Sequence, residues 1–549
     1  MKPLTRTLLS MTAICTLVLC TTTLQAQSRK HHPQVTNSFS PVLSHGDAPI
    51  SEATYRNPPS PICTTTTSSA ANVNTDCEGV APHNETTIAV NPTNNMNRIG
   101  SANDYQLFLN PAGHTVETIF SRAHVTFDGG RTWSMYPVPF HGYTATGDPG
   151  VAFDAVGRAY LSTLGFVFSQ DVRGRGTATA PDVLVAHSSN GGKAWATVRV
   201  AHGTGNFLSP GADNDKPYLT AWGNGNAIVT WTIFNQGVKG SYISSPIYDS
   251  VTHDGGLTWS APQQISGSAP FCVGTLGGTA CNSDQGSIPT VAADGSIYVA
   301  FENTSDFVTG RDQYLVVKVD PATGALIAGP FKVADIVDGF TDYPINIDGR
   351  QTYQDSQFRS WSLGNITADP TSAGHLAVVW SDMRNSILPA PVDPYAATTN
   401  SDIIVSQSFD GGTTWSAPLA LTVPNDQFQP WGAYDTTGKL RIGYFDRSYD
   451  PANHMYGYTL ATETASGSLV FGFTQLTTTL SDPTMGDRWF SGITLNPAFP
   501  HPTTFLGDYS GIRDDPSTTG GVALWTDMRV EVCFGVRCGH GEDAFYASF

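Results

Sequence analysis

Basic residues are scarce in this 549-residue chain: 28 Lys and Arg stand against 46 Asp and Glu, and charged residues of both signs make up only 13%. The net charge of −18 makes nucleic acid and anionic membrane surfaces poor partners. Long apolar runs are also missing. The longest, Leu8 to Cys20, offers about 13 residues where a bilayer span needs roughly 20. With Lys2 and Arg6 near its start and Ala26 beyond it, the run has the layout of a secretory signal cleaved near Ala26, so export without a membrane anchor is expected. No long helical period follows. The chain lacks a Gly-Xaa-Ser-Xaa-Gly elbow, a His-Glu-Xaa-Xaa-His pair and a P-loop, which removes the sequence support for those hydrolase, metallopeptidase and nucleotide chemistries.

Cysteine is sparse but ordered. Of eight, Cys15 and Cys20 fall in the signal, and the other six lie as near neighbours: Cys63 with Cys77, Cys272 with Cys281, Cys533 with Cys538. An even set of local pairs in an exported chain predicts three small-loop disulfides, each worth on the order of 2–3 kcal/mol. Paired Cys-Xaa-Xaa-Cys spacing, which a cysteine metal site would need, is absent.

What the chain has in quantity is turn chemistry, with 54 Gly and 36 Pro. Residues 27–80 are rich in Pro, Ser, Thr and Asn and read as an extended N-terminal segment. Four stretches then repeat: Thr126-Phe-Asp-Gly-Gly-Arg-Thr-Trp133, Ser188-Ser-Asn-Gly-Gly-Lys-Ala-Trp195, Thr252-His-Asp-Gly-Gly-Leu-Thr-Trp259 and Ser408-Phe-Asp-Gly-Gly-Thr-Thr-Trp415. Two glycines supply positive φ, and Asp128, Asn190, Asp254 or Asp410 accepts hydrogen bonds from its own turn. The Trp opens the next strand and pins the hairpin to a neighbouring sheet.

A longer repeat precedes each of these: an acidic lead-in, an apolar strand, a turn and a second apolar strand. It occurs seven times, at Glu85–Asp104, Asp148–Thr163, Asp215–Thr232, Asp284–Asn303, Ser362–Arg384, Asp426–Arg447 and Asp508–Arg529. Together the two repeats make a four-stranded unit, and units of this spacing predict an all-β propeller over residues 81–549. Val319–Gly324 and Glu463–Gly467 read as plain hairpins where the glycine pair is lost. The last unit ends one strand short, and residues 27–80 are able to supply the missing strand.

The Asp-Gly-Gly-Xaa-Thr-Trp units resemble the Asp-box (BNR) repeats of sialidase-like β-propellers, three closely and the one at Asn190 less so. Seven units favour seven blades, whereas the family's sialidases have six. The resemblance places the Asp-boxes away from the catalytic face, where their role is structural. It makes the opposite face the functional one. There the lead-in acids (Glu85, Asp148, Asp215, Asp284, Asp426, Asp508) meet the ends of the second strands, which carry Asp104, Glu302, Asp382 with Arg384, Asp446 with Arg447, and Asp527 with Arg529.

Sialidases hold the substrate carboxylate with three arginines, whose planar guanidinium groups bind it in bidentate fashion, and use a Tyr nucleophile, a Glu that activates it and an Asp acid/base. The resemblance therefore implies catalytic roles for Asp104, Glu302 and Tyr509, with Tyr444 a competing nucleophile. It gives substrate-binding roles to Arg311, Arg384 and Arg529. An equally direct reading of the residues pairs each repeated Asp with its Arg to tie blades together. The expected function is a secreted, monomeric glycoside hydrolase of the exo-α-sialidase type acting on a glycan or glycoconjugate; a non-catalytic propeller binding glycan or protein is the alternative. No cofactor is required, although the ring of acids has the oxygen donors for Ca²⁺.

Overall fold

The computed structural model describes residues 60–77, 81–109, 115–170, 176–205, 210–345, 350–356, 358–386, 398–485, 505–534 and 537–549. The expected signal and most of the N-terminal segment lie outside the described residues. Among those described, no helix is long and apolar enough to cross a membrane.

Seven antiparallel sheets, each built on four strands, form a propeller. From the axis outward, blade 1 is His83–Val90, Arg98–Leu109, Ala123–Thr126 and Ser134–Tyr136, and blade 2 is Ala145–Phe153, Ala159–Phe166, Asp182–Ser188 and Ala196–Ala201. Blade 3 is Gly211–Trp222, Asn226–Gln236, Ile247–Thr252 and Gln263–Gln264. Blade 4 is Asp284–Val291, Ile297–Asp306, Arg311–Val319 and Leu326–Asp335. Blade 5 is Asn365–Ala368, Leu376–Asp382, Asp402–Ser408 and Leu419–Leu421, and blade 6 is Gln427–Tyr434, Leu440–Asp446, Gly457–Glu463 and Phe471–Gln475. Blade 7 has Gly511–Asp514, Gly521–Asp527 and Asp543–Ser548, and its outer strand is Val73–Asn74 from the N-terminal segment. The first strands of blades 7 and 1 lie side by side, which closes the ring.

The core follows from this arrangement. Strands buried on both faces are mostly apolar, as in Leu376–Asp382 and Leu440–Asp446, and side chains from adjacent blades interleave in separate clusters. One joins Ile99, Val125, Leu161 and Trp195 across blades 1 and 2; another joins Val316, Trp380 and Ile404 across blades 4 and 5. Burial of apolar surface between neighbouring sheets is thus what holds each blade in the ring.

The glycine-pair turns key each blade to the one before it. In the turn at Asp128 both glycines have positive φ, 74° and 97°, and a Cβ on Gly130 would overlap the Tyr546 ring of blade 7. Gly192 sits equally close to Ile99 and Val125 of blade 1. Trp133, Trp195 and Trp415 donate Nε1–H to the carbonyl of the second glycine at 3.0, 2.8 and 2.9 Å, so the indole locks the turn it follows. The three disulfides form between the expected partners, Cys63–Cys77, Cys272–Cys281 and Cys533–Cys538.

In the third turn Asp254 accepts from Leu257 N and Thr258 N, both at 3.0 Å, and from the hydroxyls of Thr252 and Thr258 at 2.9 and 2.6 Å. Against a desolvation effect that raises it, these bonds lower its pKa to about 2. Asp254→Ala is therefore expected to cost about 1 kcal/mol in urea denaturation at pH 7. Because the folded pKa is depressed, the contribution is present above the unfolded pKa and should shrink as pH falls toward 2.

Candidate functional site

Five innermost strands carry the same irregularity near their start. One extra residue, so that two stand opposite one, interrupts the register between Asn84 and Thr87, Gly147 and Gly150, Asp215 and Tyr218, Gln285 and Ile288, and Phe428 and Trp431. The first of each pair is left-handed: Glu85, Asp148, Lys216, Gly286 and Gln429 have φ of 55°, 59°, 50°, 64° and 47°. For the four that are not glycine this conformation costs on the order of 1 kcal/mol or more each. It concentrates their polar side chains near the propeller axis, as bulges beside active sites do.

Lys216 is the centre of that ring. Its buried ammonium lies 2.7 Å from Glu85 Oε1, 2.6 Å from Asp508 Oδ2 and 3.4 Å from Asp148 Oδ2. Arg359 Nε donates to Asp508 Oδ1 at 2.8 Å, and its NH2 reaches the other oxygen. Asn103 Nδ2 donates to Glu85 Oε2 at 3.0 Å and its Oδ1 accepts from Asp148 N at 2.9 Å. Burial raises the pKa of Glu85 well above the ordinary carboxylate range, and the neighbouring Asp148 raises it further. Burial likewise raises Asp148. Asp508 goes the other way: burial alone would raise it, but Arg359 and Lys216 hold it below its ordinary value. For Lys216, burial pulls down and the surrounding carboxylates, Asp148 foremost, lift it well above the ordinary lysine value. The ring is thus an ionised Asp508 between two cations, beside a Glu85–Asp148 pair that favours keeping a proton.

A cavity of about 180 Å³ opens next to this ring. Glu302, Asp312, Asp338, Trp361, Arg350 and Arg359 are among its lining residues. Blade 4 supplies Glu302 from within its second strand and Asp312 from the start of its third. Asp338, Arg350, Arg359 and Trp361 come from the chain between blade 4 and blade 5. Arg311 fixes that connection with two bonds to Asp342, Nε to Oδ2 at 2.6 Å and NH2 to Oδ1 at 2.7 Å. Asp338 Oδ1 accepts from Asp312 N at 2.9 Å.

Glu302 Oε2 accepts the indole N–H of Trp361, whereas the buried Oε1 has no hydrogen-bond partner. Burial, then the charge of Asp312, raises Glu302 well above its ordinary pKa. Burial raises Asp338 similarly, with Asp312 and Glu302 adding to it, and lifts Asp312 to about 6. Burial thus favours the protonated form of Glu302 and Asp338 beside Asp312, whose pKa lies at about 6, the kind of pairing that acid/base catalysis uses.

Of the catalytic residues expected from sequence, only Glu302 lines this cavity. Asp104 lies in a separate buried cluster with His83 and His124. Tyr509 is buried against Tyr218 and Trp431 and donates its hydroxyl to Pro149 O at 3.0 Å; burial raises its pKa well above the ordinary value. Tyr444 is buried in the core shared by blades 5 and 6.

The arginines do not gather into a clamp. Arg384 closes on Asp382 at 2.8 and 2.7 Å and reaches Asp335 O of blade 4 at 3.3 Å. Arg529 closes on Asp527 at 2.8 and 2.6 Å and bonds Asn72 of the N-terminal segment at 2.9 Å. In both, the same aspartate accepts the indole of the Trp two residues earlier, Trp380 or Trp525, at 3.0 and 2.8 Å. These groups tie blades together. Asp284 bonds Asn303, and Asp426 bonds Thr399, Ser401 and Asn453, outside the Lys216 ring.

Sequence reasoning missed Lys216, Asp312, Asp338, Trp361 and Arg359. A signal for Lys216 existed: Asp148-Pro149, Lys216-Pro217 and Gln429-Pro430 mark the same bulge position, one residue beyond Asp215.

No protein-family profile matches the chain, and no curated protein matches it in sequence. Among solved structures it is similar to the NanB sialidase of Streptococcus pneumoniae (10% identity, TM-score 0.41, covering 89% of this chain and 99% of that one). It is also similar to the GH93 α-L-arabinofuranosidase of Fusarium graminearum (13%, 0.38, 69% and 92%) and to a protein of unknown function from Dyadobacter fermentans (11%, 0.40, 88% and 98%). Likeness at this level carries no weight for activity.

Replacing Lys216 with Met would leave Glu85, Asp148 and Asp508 buried without their ammonium. Lys216→Met is expected to lose about 3–5 kcal/mol at pH 7. Protonation of the carboxylates relieves the repulsion, so the loss should be smaller at pH 4, measured by urea denaturation at both values.

Proposed function

We propose that this protein is a glycoside hydrolase that takes the terminal sugar of a glycan into the cavity beside blade 4, with Glu302 as the proton donor. The observation that carries this reading is the meeting of Glu302, Asp312 and Asp338 beneath Trp361 in one pocket. A buried acid that stays protonated is able to protonate a departing glycosidic oxygen, and Asp312 in its ionised form is the partner that activates water or stabilises positive charge at the anomeric carbon. Trp361 offers an indole face for a sugar ring, and the cavity is small for a ligand site, which suits one sugar unit at a chain end.

Within that class we favour an acidic sugar such as sialic acid, with Arg350 and Arg359 as the cations that line the pocket. Arg311, Arg384 and Arg529 are bonded to Asp342, Asp382 and Asp527, and Arg359 to Asp508. The glycine-pair turns, with Asp128 and Asp410 bonded to their own loop amides and hydroxyls, support an Asp-box kinship. Calcium in the acid ring would have to compete with Lys216 for the same carboxylates.

The test is a panel of fluorogenic glycosides, sialosides included, against the exported chain. Turnover of one or more substrates is expected, with Glu302→Gln lowering kcat about 10²-fold or more. Activity should rise as pH passes about 6, where Asp312 ionises, and fall at higher pH as Glu302 loses its proton. Silence across the panel would move the assignment to a glycan- or protein-binding propeller.

A second check separates positioning from catalysis. The Trp361 bond lowers the Glu302 pKa within its overall upward shift, so Trp361→Phe should move the alkaline limb to higher pH. An unmoved limb would assign that limb to a different group.

A further inference from the structure

The ring is closed where the N-terminal segment, blade 1 and blade 7 meet, and a polar cluster is buried there. His83 and Asp104 face each other across the first two strands of blade 1, and His124 comes from the third. All three side chains are fully buried. His124 Nε2 lies 3.2 and 3.1 Å from the two oxygens of Asp104, and His83 Nε2 lies 3.3 Å from Asp104 Oδ1 and 3.6 Å from Asp76 Oδ1.

Two observations point past a simple hydrogen-bonded cluster. Thr75 Oγ1 donates to Ala544 O at 3.0 Å, so at its 2.9 Å contact with His124 Nδ1 it is the acceptor. His124 therefore carries a proton on Nδ1, and in the neutral ring Nε2 presents a lone pair to Asp104. Such an outer bond is how metal-ligating histidines are oriented. Secondly, neither ring nitrogen of His83 makes a hydrogen bond, although the residue is fully buried and its Nε2 faces the same carboxylate. A buried imidazole without a hydrogen bond is costly.

The donor spacing fits a small dication. Tetrahedral zinc with bonds of about 2.0–2.1 Å sets its ligand atoms ~3.3 Å apart; Asp104 lies 3.1 Å from His124 Nε2 and 3.3 Å from His83 Nε2, and one donor atom from each of the three lies within 4.8 Å of the others. We infer that His83, His124 and Asp104 form a structural zinc site in blade 1, beside Thr75 of the N-terminal segment, whose hydroxyl bonds His124. Two imidazoles with a carboxylate match the ligand preference of zinc better than that of the oxygen-seeking Ca²⁺ and Mg²⁺. Asp76 precedes Cys77, which is bridged to Cys63, and Thr75 bonds blade 7, so the ion would secure the seam that the disulfide and the Val73–Asn74 strand also span.

The experiment uses the purified protein over residues 27–549, loaded with Zn²⁺, dialysed against a weak chelator and assayed for bound metal and for Tm. About one zinc per chain is expected, with Tm raised by ~5 °C or more over the stripped protein. His124→Gln and Asp104→Asn should lose the ion. The double variant His31→Gln, His32→Gln, which removes the paired histidines of the N-terminal segment, and His202→Gln should keep it. If the variants fail to fold, the wild-type measurement decides by itself. Less than about a tenth of an equivalent with no Tm change, or zinc lost with the tail histidines, would overturn the assignment.

Discussion

The mouth of this propeller depends on one ammonium group held among carboxylates. Blades 1, 2 and 7 bring Glu85, Asp148 and Asp508 toward the axis, and only Lys216 of blade 3, aided by Arg359, keeps that convergence from being repulsive. Opposite charges at contact in a low-dielectric interior attract strongly, while each also bears a desolvation penalty. The arrangement persists because every member is bonded on several sides and because left-handed bulges place the side chains at the cost of local strain. Apolar packing between blades supplies the rigidity against which that strain is held.

The candidate site inherits its electrostatics from this ring. Arg359 belongs to both, bonded to Asp508 and lining the cavity, and Trp361 stands between Lys216, 5.8 Å from its ring, and Glu302, which its indole bonds. With Arg359 committed to Asp508, the carboxyl groups of Glu302, Asp312 and Asp338 meet mostly burial and one another. That is the condition under which a carboxylic acid keeps its proton at neutral pH. Two neighbouring groups of acids thus behave differently because one has a cation at its centre and the other does not.

The fold was legible in the sequence to the extent that it repeats. Seven copies of an apolar strand pair became seven blades, and the glycine-pair turns took the predicted form because positive φ leaves few alternatives. The site was legible only in part, for reasons that are equally physical. Glu302 lies in a strand of the repeat and is legible there; Asp338 and Trp361 lie in the connection from 336 to 364, which repeats nowhere. Lys216 was hidden because it, and not the acid before it, holds the bulge position of Glu85 and Asp148, so a pattern of acids pointed to Asp215. The arginines of the Trp-Xaa-Asp-Met-Arg ends offered two readings of the same residues, and the bonds of Arg384 to Asp335 O of blade 4 and of Arg529 to Thr478, which follows blade 6, are blade-to-blade ties.

The protonation state of Glu302 is where the functional account is most exposed. Carbon-13 NMR of protein labelled at glutamate side-chain carboxyls, with Glu302→Gln used to assign the resonance, would follow that group through a pH titration. The account predicts a carboxyl signal at the protonated position at pH 7 that moves only at higher pH. A Glu302 signal already at the ionised position at pH 7, titrating in the ordinary carboxylate range, would contradict it.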